Sequence, residues 1–238
     1  MGILYQDLGL KDGYLYEVIA TTISFNKTIP NASCLGIRVK KDLIVIKPYH
    51  DTKTYKNLTK NSLICINFVE NIYLYALAAL KGPYLSKKYE RFPLKFYDYY
   101  HIKDKNKDSN NVKTNKIPYI RDAWAIVICK VKKALEFDKE DIFGTVKLSE
   151  FELGTISIVK LKESHKLFNR AENLTLEALI LATRLKIAVL INDSDIIRGY
   201  RNKINYIINK IDQFSKNLEV TKSVNLIKEY IRNLDLEI

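Results

Sequence analysis

Apolar positions follow a period of two along the first part of this chain and a helical period along its last third. From Tyr14 to Ser24, Tyr14, Tyr16, Val18 and Ala20 share one face, which predicts a strand. Leu35–Val39 and Leu43–Lys47 read as two short strands joined through Lys40-Lys41-Asp42, a hairpin. Pro48–Phe68 then gives a polar turn, a short helix at Tyr55–Leu58 and a strand at Leu63–Phe68. Asn71–Leu80 suits a helix, with Ile72, Tyr75, Ala76 and Ala79 on one side. Trp124–Lys132 and Thr155–Leu161 return to strand.

The last third changes period. Leu167–Val189 carries Leu174, Ala178, Leu181 and Leu185 on one stripe. Asp195–Phe214 spaces Ile197, Tyr200, Ile204, Ile207, Ile211 and Phe214 by three and four, a seam for another helix. Ser223 is placed to cap a final helix bearing Leu226, Ile227, Tyr230, Ile231 and Leu234. Many short strands followed by helices predict an α+β protein: a small barrel over 1–162 and a helical bundle over 163–238.

Charge alters this picture in one segment. The formal net charge is +12, which favours an anionic partner. Lys81–Asp122 supplies about half of it, with eleven Lys or Arg against five Asp or Glu, and holds six tyrosines. Its centre, Lys103–Lys116, is nearly free of apolar residues and reads as a mobile loop inserted in the barrel. Basic residues among aromatics suit single-stranded nucleic acid. The segment matches no RNA-binding motif, so a flap whose rings pack on the barrel is the favoured reading, with nucleic acid as the alternative.

Other chemistry is sparse. Cys34, Cys65 and Cys129 are odd in number, and His50, His101 and His165 are scattered, so neither a disulfide framework nor a metal site is expected. With no signal peptide and no convincing membrane span, a cytoplasmic protein is expected. Glycine-rich phosphate loops and nucleophile elbows are missing, and no catalytic residue stands out; Glu17, Glu70, Glu172 and Glu177 form no selected pair. Chemistry carried by a bound cofactor fits that absence. The polar turn offers the one pointed signal. Thr52, Lys53 and Thr54 precede helical residues, where unpaired amides and the helix dipole suit a phosphate. A plain N-cap at Thr54, with Asn57 on the surface, remains the alternative.

Four segments, YEVIATT (Tyr16–Thr22), NASCLGI (Asn31–Ile37), DTKTYKNL (Asp51–Leu58) and ICINF (Ile64–Phe68), together resemble the FMN-binding split-barrel proteins. The resemblance is closest to the archaeal DUF447 type, related to flavin reductases. FNRAENLTLEALILATRL (Phe168–Leu185) is similar to the C-terminal helical signature of the same family. The resemblance implies an FMN-binding split β-barrel with a C-terminal helical bundle, homodimeric, with flavin at or near the subunit interface. It implies flavin-dependent electron or hydride transfer, with a nicotinamide cofactor as a candidate donor; a flavin carrier is a further alternative. By the same resemblance Thr52, Lys53, Thr54 and Asn57 hold the FMN phosphate. The backbone of Asn31, Ala32, Ser33, Cys34 and Leu35 runs as a turn along the isoalloxazine, and Thr21 and Thr22 approach from the neighbouring strand. Cys34 stands where flavin reductases carry proline. Arg170 and Arg184 match the helical signature and either close over the ligand or pair with Glu172 and Glu177.

Overall fold

The first two-thirds of the chain are built largely from strands whose alternate side chains are apolar, and six of these strands close on themselves. The computed structural model describes residues 3–24, 29–102, 115–141, 144–164, 170–214 and 218–235. Its strands are β1 (Leu15–Ile23), β2 (Pro30–Lys40), β3 (Leu43–Ile46), β4 (Leu63–Phe68), β5 (Tyr97–Ile102), β6 (Asn115–Ile120), β7 (Ala125–Asp141) and β8 (Gly144–Lys160). Six of them form an antiparallel barrel in the order β1-β2-β3-β8-β7-β4, with β4 returning to β1. Val18 and Ala20, Ile37 and Val39, Ile64 and Ile66, and Val127 and Cys129 are buried in its core. Helix α1 (Lys53–Asn61) adds Leu58, and the N-terminal segment adds Tyr5, Leu8 and Leu10.

The outer wall of β1 and β4 is also dry. The β5–β6 ribbon packs there, burying Tyr97, Ile117 and Ile120. Polar links fasten it: Thr21 Oγ1 donates to Pro118 O, Ile120 N donates to Asn67 Oδ1 at 2.7 Å, and Tyr100 OH shares a 3.4 Å bond with Ser157 Oγ of β8. Part of the basic Tyr-rich segment is therefore a packed ribbon. Its expected mobile centre lies outside the described residues over 103–114, while Asn115 and Lys116 open β6.

Chain contacts divide the protein into two compact units. The first holds the barrel and the ribbon. The second gathers α2 (Ile72–Leu80) and the segment to Pro93 with α3 (Arg170–Leu190), α4 (Ser194–Phe214) and α5 (Leu218–Asp235). In it, α3 packs on α2, α4 and α5, and α2 packs on α5.

Several local expectations are corrected. Asn31–Leu35 is strand, not turn, paired with β1 throughout. β7 and β8 run far past their apolar stretches. The buried stripe of α4 is Ile197, Tyr200, Ile204, Ile208 and Ile211; Ile207 is only half-buried, because helical drift moves the stripe one residue on. Ser223 is no cap: α5 starts five residues earlier, and the buried hydroxyl bonds Glu219 O one turn back at 2.7 Å. His165, Leu167, Phe168 and Asn169, and the Phe214 side chain, lie outside the described residues.

Candidate functional site

β2 pairs with β1 from Pro30 to Arg38 but with β3 only from Ile37 to Lys40. After Ile46 the chain stays beside β8 instead, through a Tyr49–Leu148 bridge and His50 N donating to Lys147 O at 3.2 Å. Backbone direction along β2 follows from Ser24 N donating to Ile29 O at 3.0 Å, since antiparallel pairs alternate. Asn31, Ser33 and Leu35 thus aim their peptide groups at β1, and Pro30, Ala32 and Cys34 aim theirs away. No strand among the described residues pairs with that second edge, and Pro30 sits where its missing N–H costs no ladder bond. Ala32 is fully buried and Cys34 half-buried.

Helix α1 starts beside this part of β2. Side chains of Thr22, Asn31 and Ser33 continue the inward-facing rows of β1 and β2, but they are polar, and α1 meets them with polar groups. Asn31 Nδ2 donates to Thr54 Oγ1 at 3.3 Å, Ser33 Oγ and Thr54 Oγ1 share a 2.6 Å bond, and Asn57 Nδ2 donates to Thr22 Oγ1 at 2.9 Å. Asn61 Nδ2 reaches Ile23 O and Ser24 O. Five of the thirteen expected residues are therefore brought together: Thr22, Asn31, Ser33, Thr54 and Asn57.

The cap differs from the alternative of Thr54. Thr52 is the N-cap: its Oγ1 accepts from Tyr55 N at 3.2 Å and donates to Tyr49 O at 2.7 Å. Lys56 N donates to Thr52 O. Among the described residues, no hydrogen bond engages the amides of Lys53 and Thr54, and the Lys53 side chain is exposed. A helix start with two such amides beside a lysine is an anion-binding arrangement.

The remaining expected residues lie elsewhere. Thr21 alternates with Thr22 and so faces the outer wall, bonded to Pro118 O. Ala32 and Cys34 share that outer parity, while Leu35 packs against the core. Arg170 and Arg184 are exposed on α3, in the other unit. Sequence reasoning missed His50 and Tyr55, whose rings stack at 4.1 Å and 14° beside the helix start. His50 Nε2 bonds the buried Ser149 Oγ at 2.8 Å, and Tyr55 OH donates to Glu136 Oε1 at 3.2 Å. The signal was present as a histidine five residues before a tyrosine across a turn, which no one-dimensional pattern singles out.

Two family models match the chain: the N-terminal domain of the protein of unknown function DUF447 over residues 16–161, and the companion DUF447 model over 169–229. This chain belongs to the DUF447 family. An uncharacterised protein of Methanocaldococcus jannaschii is 26% identical to this DUF447 chain over 169 residues, 71% of this chain and 73% of that protein. The crystal structure of an FMN-bound DUF447 protein from Methanosarcina mazei superposes with a TM-score of 0.69. It is 19% identical and covers 95% of this chain and all of its own, which establishes a shared fold. Among the described residues of this DUF447 chain, no three His, Cys, Asp or Glu gather as metal ligands, and no helix is long and apolar enough to cross a membrane.

Proposed function

We propose that this protein binds FMN and uses it for flavin-dependent electron or hydride transfer. The observation that carries the reading is the α1 start: two backbone amides that no hydrogen bond engages among the described residues and an exposed Lys53, fixed by Thr54 against the part of β2 whose second edge no strand covers. Lys53 and the amides of Lys53 and Thr54 take the phosphate. Thr52 shapes the turn, while Thr54 and Asn57 seat the helix through Asn31, Ser33 and Thr22. The peptide groups of Ala32 and Cys34 lie along the isoalloxazine, with Leu35 behind them and Thr21 fixing the neighbouring strand from its far face. The bound flavin supplies the redox chemistry, and the chain orients it. An FMN-bound relative of the same fold supports the choice of cofactor. We further assign a nicotinamide electron donor, a homodimeric assembly and a cytoplasmic setting.

The test compares FMN with riboflavin, which lacks only the phosphate. Lys53→Ala should weaken FMN by roughly tenfold to a hundredfold, the cost of a charge-assisted bond of about 1.5–3 kcal/mol, and leave riboflavin unchanged. Equal losses for both ligands would move the phosphate elsewhere. Oxidation of NADH or NADPH with added FMN tests the donor.

A further inference from the structure

We propose that His50 is a positioning residue for the anion site, a clamp that fixes the start of α1 to β8. This deepens the FMN reading and rests on it for its ligand. Thr54 holds one side of the helix start, to β2. The other side is held through aromatic rings. His50 lies nearly parallel on Tyr55, and Tyr55 meets Phe151 of β8 at 6.0 Å and Glu136 of β7 through its hydroxyl. His50 in turn bonds Ser149 of β8, and its own N–H is bonded to Lys147 O. Tyr55 is the third residue of α1, and its amide is the one that caps on Thr52.

Those links give the two partnerless amides a fixed direction. The turn Tyr49–Thr52 has only short bonds of its own: Thr52 N and Thr52 Oγ1 both donate to Tyr49 O. Without the ring stack it would hinge between β8 and the helix. Phosphate recognition by backbone amides needs them aimed at one point, so loss of the stack disperses them. The ring of the flavin, held elsewhere on β2, would not sense the change.

The experiment uses the full chain and three variants, His50→Ala, His50→Phe and Tyr55→Leu, each measured for FMN and riboflavin affinity and for hydrogen exchange without ligand. His50→Ala should weaken FMN about five- to tenfold, the size of a lost ring stack, with riboflavin unchanged. Without ligand, the amides of Tyr55 and Lys56 should exchange faster in that variant. His50→Phe, which keeps the stack and loses the bond to Ser149, should restore both readouts. If His50→Ala does not fold, Tyr55→Leu removes the stack from the other side with the same expectations. Unchanged exchange in the stack-less variant, an equal loss of riboflavin, or a His50→Phe variant as weak as His50→Ala would overturn the clamp. A wild-type protein that ignores FMN, while the exchange pattern follows the stack, would uphold the clamp and sink the flavin reading.

Discussion

Asn67 ties three strands with one buried amide. Its Nδ2 donates to Ile19 O at 2.8 Å, Thr21 Oγ1 at 3.1 Å and Cys65 O at 3.1 Å, while its Oδ1 accepts from Ile120 N. It is wholly buried, so each partner it abandons would lose a bond that water cannot replace. Asn67→Leu should cost about 2–4 kcal/mol, read as a lower urea midpoint. The sequence showed this residue only as the polar end of an apolar strand. What made it legible was Ile120 of β6, fifty residues away and just past the stretch that composition described as loop. Burial also governs the thiols. It pushes Cys129 up from 9.0 to about 12, and Cys65 further in the same direction, while Tyr5 rises from 10.0 to about 12. The folded protein keeps protons that the unfolded chain releases, so stability should fall as pH rises from about 9 to 12. Denaturant titrations across that range check the sign, and Cys129→Ala should flatten the decline.

At the scale of elements, the sequence succeeded where one face is apolar and failed where polar groups are buried. β1, β3, β4 and the long helices alternate cleanly and were legible. The turn expected at Asn31–Leu35 came from the family resemblance alone; the stretch is strand, and its polar Asn31 and Ser33 continue the inward row to meet Thr54. The outer half of β7, Lys132–Lys139, is exposed on both faces but for the half-buried Phe137, so burial imposes no clear period there. The seam of α4 was legible in period but slipped by one residue at its centre. That slip has a measurable consequence. Ile204 is fully buried, so Ile204→Asp places an unpaired carboxylate in the helical core at a cost of several kcal/mol. Ile207→Asp, at a half-buried position, should cost clearly less. Thermal melts followed by circular dichroism should rank them in that order, and equal losses would place Ile207 back in the seam.

The two compact units do not follow the chain as two consecutive pieces. The path leaves the barrel after Val69, builds α2 in the helical unit, returns at Leu94 for the ribbon and β7, and commits to the bundle only after Ser164. Sequence reasoning placed the division near residue 162 because the period changes there, and it grouped α2 with the strands around it. Period reports the type of an element and not its partner, so this crossing was invisible. α2 is apolar nearly all round: Ile72, Leu74, Tyr75, Leu77 and Leu80 are all buried. A helix of that kind needs cover on every side, and α3 and α5 provide it. A fragment ending at Ser164 would contain every strand of the barrel and still expose α2. We therefore expect residues 1–164 to aggregate when produced alone, and to become soluble when residues 165–238 are co-expressed as a separate chain. Sedimentation of the fragment with and without its complement measures this. A soluble, monomeric fragment with intact β-sheet would show that α2 does not depend on α3 and α5 for its cover.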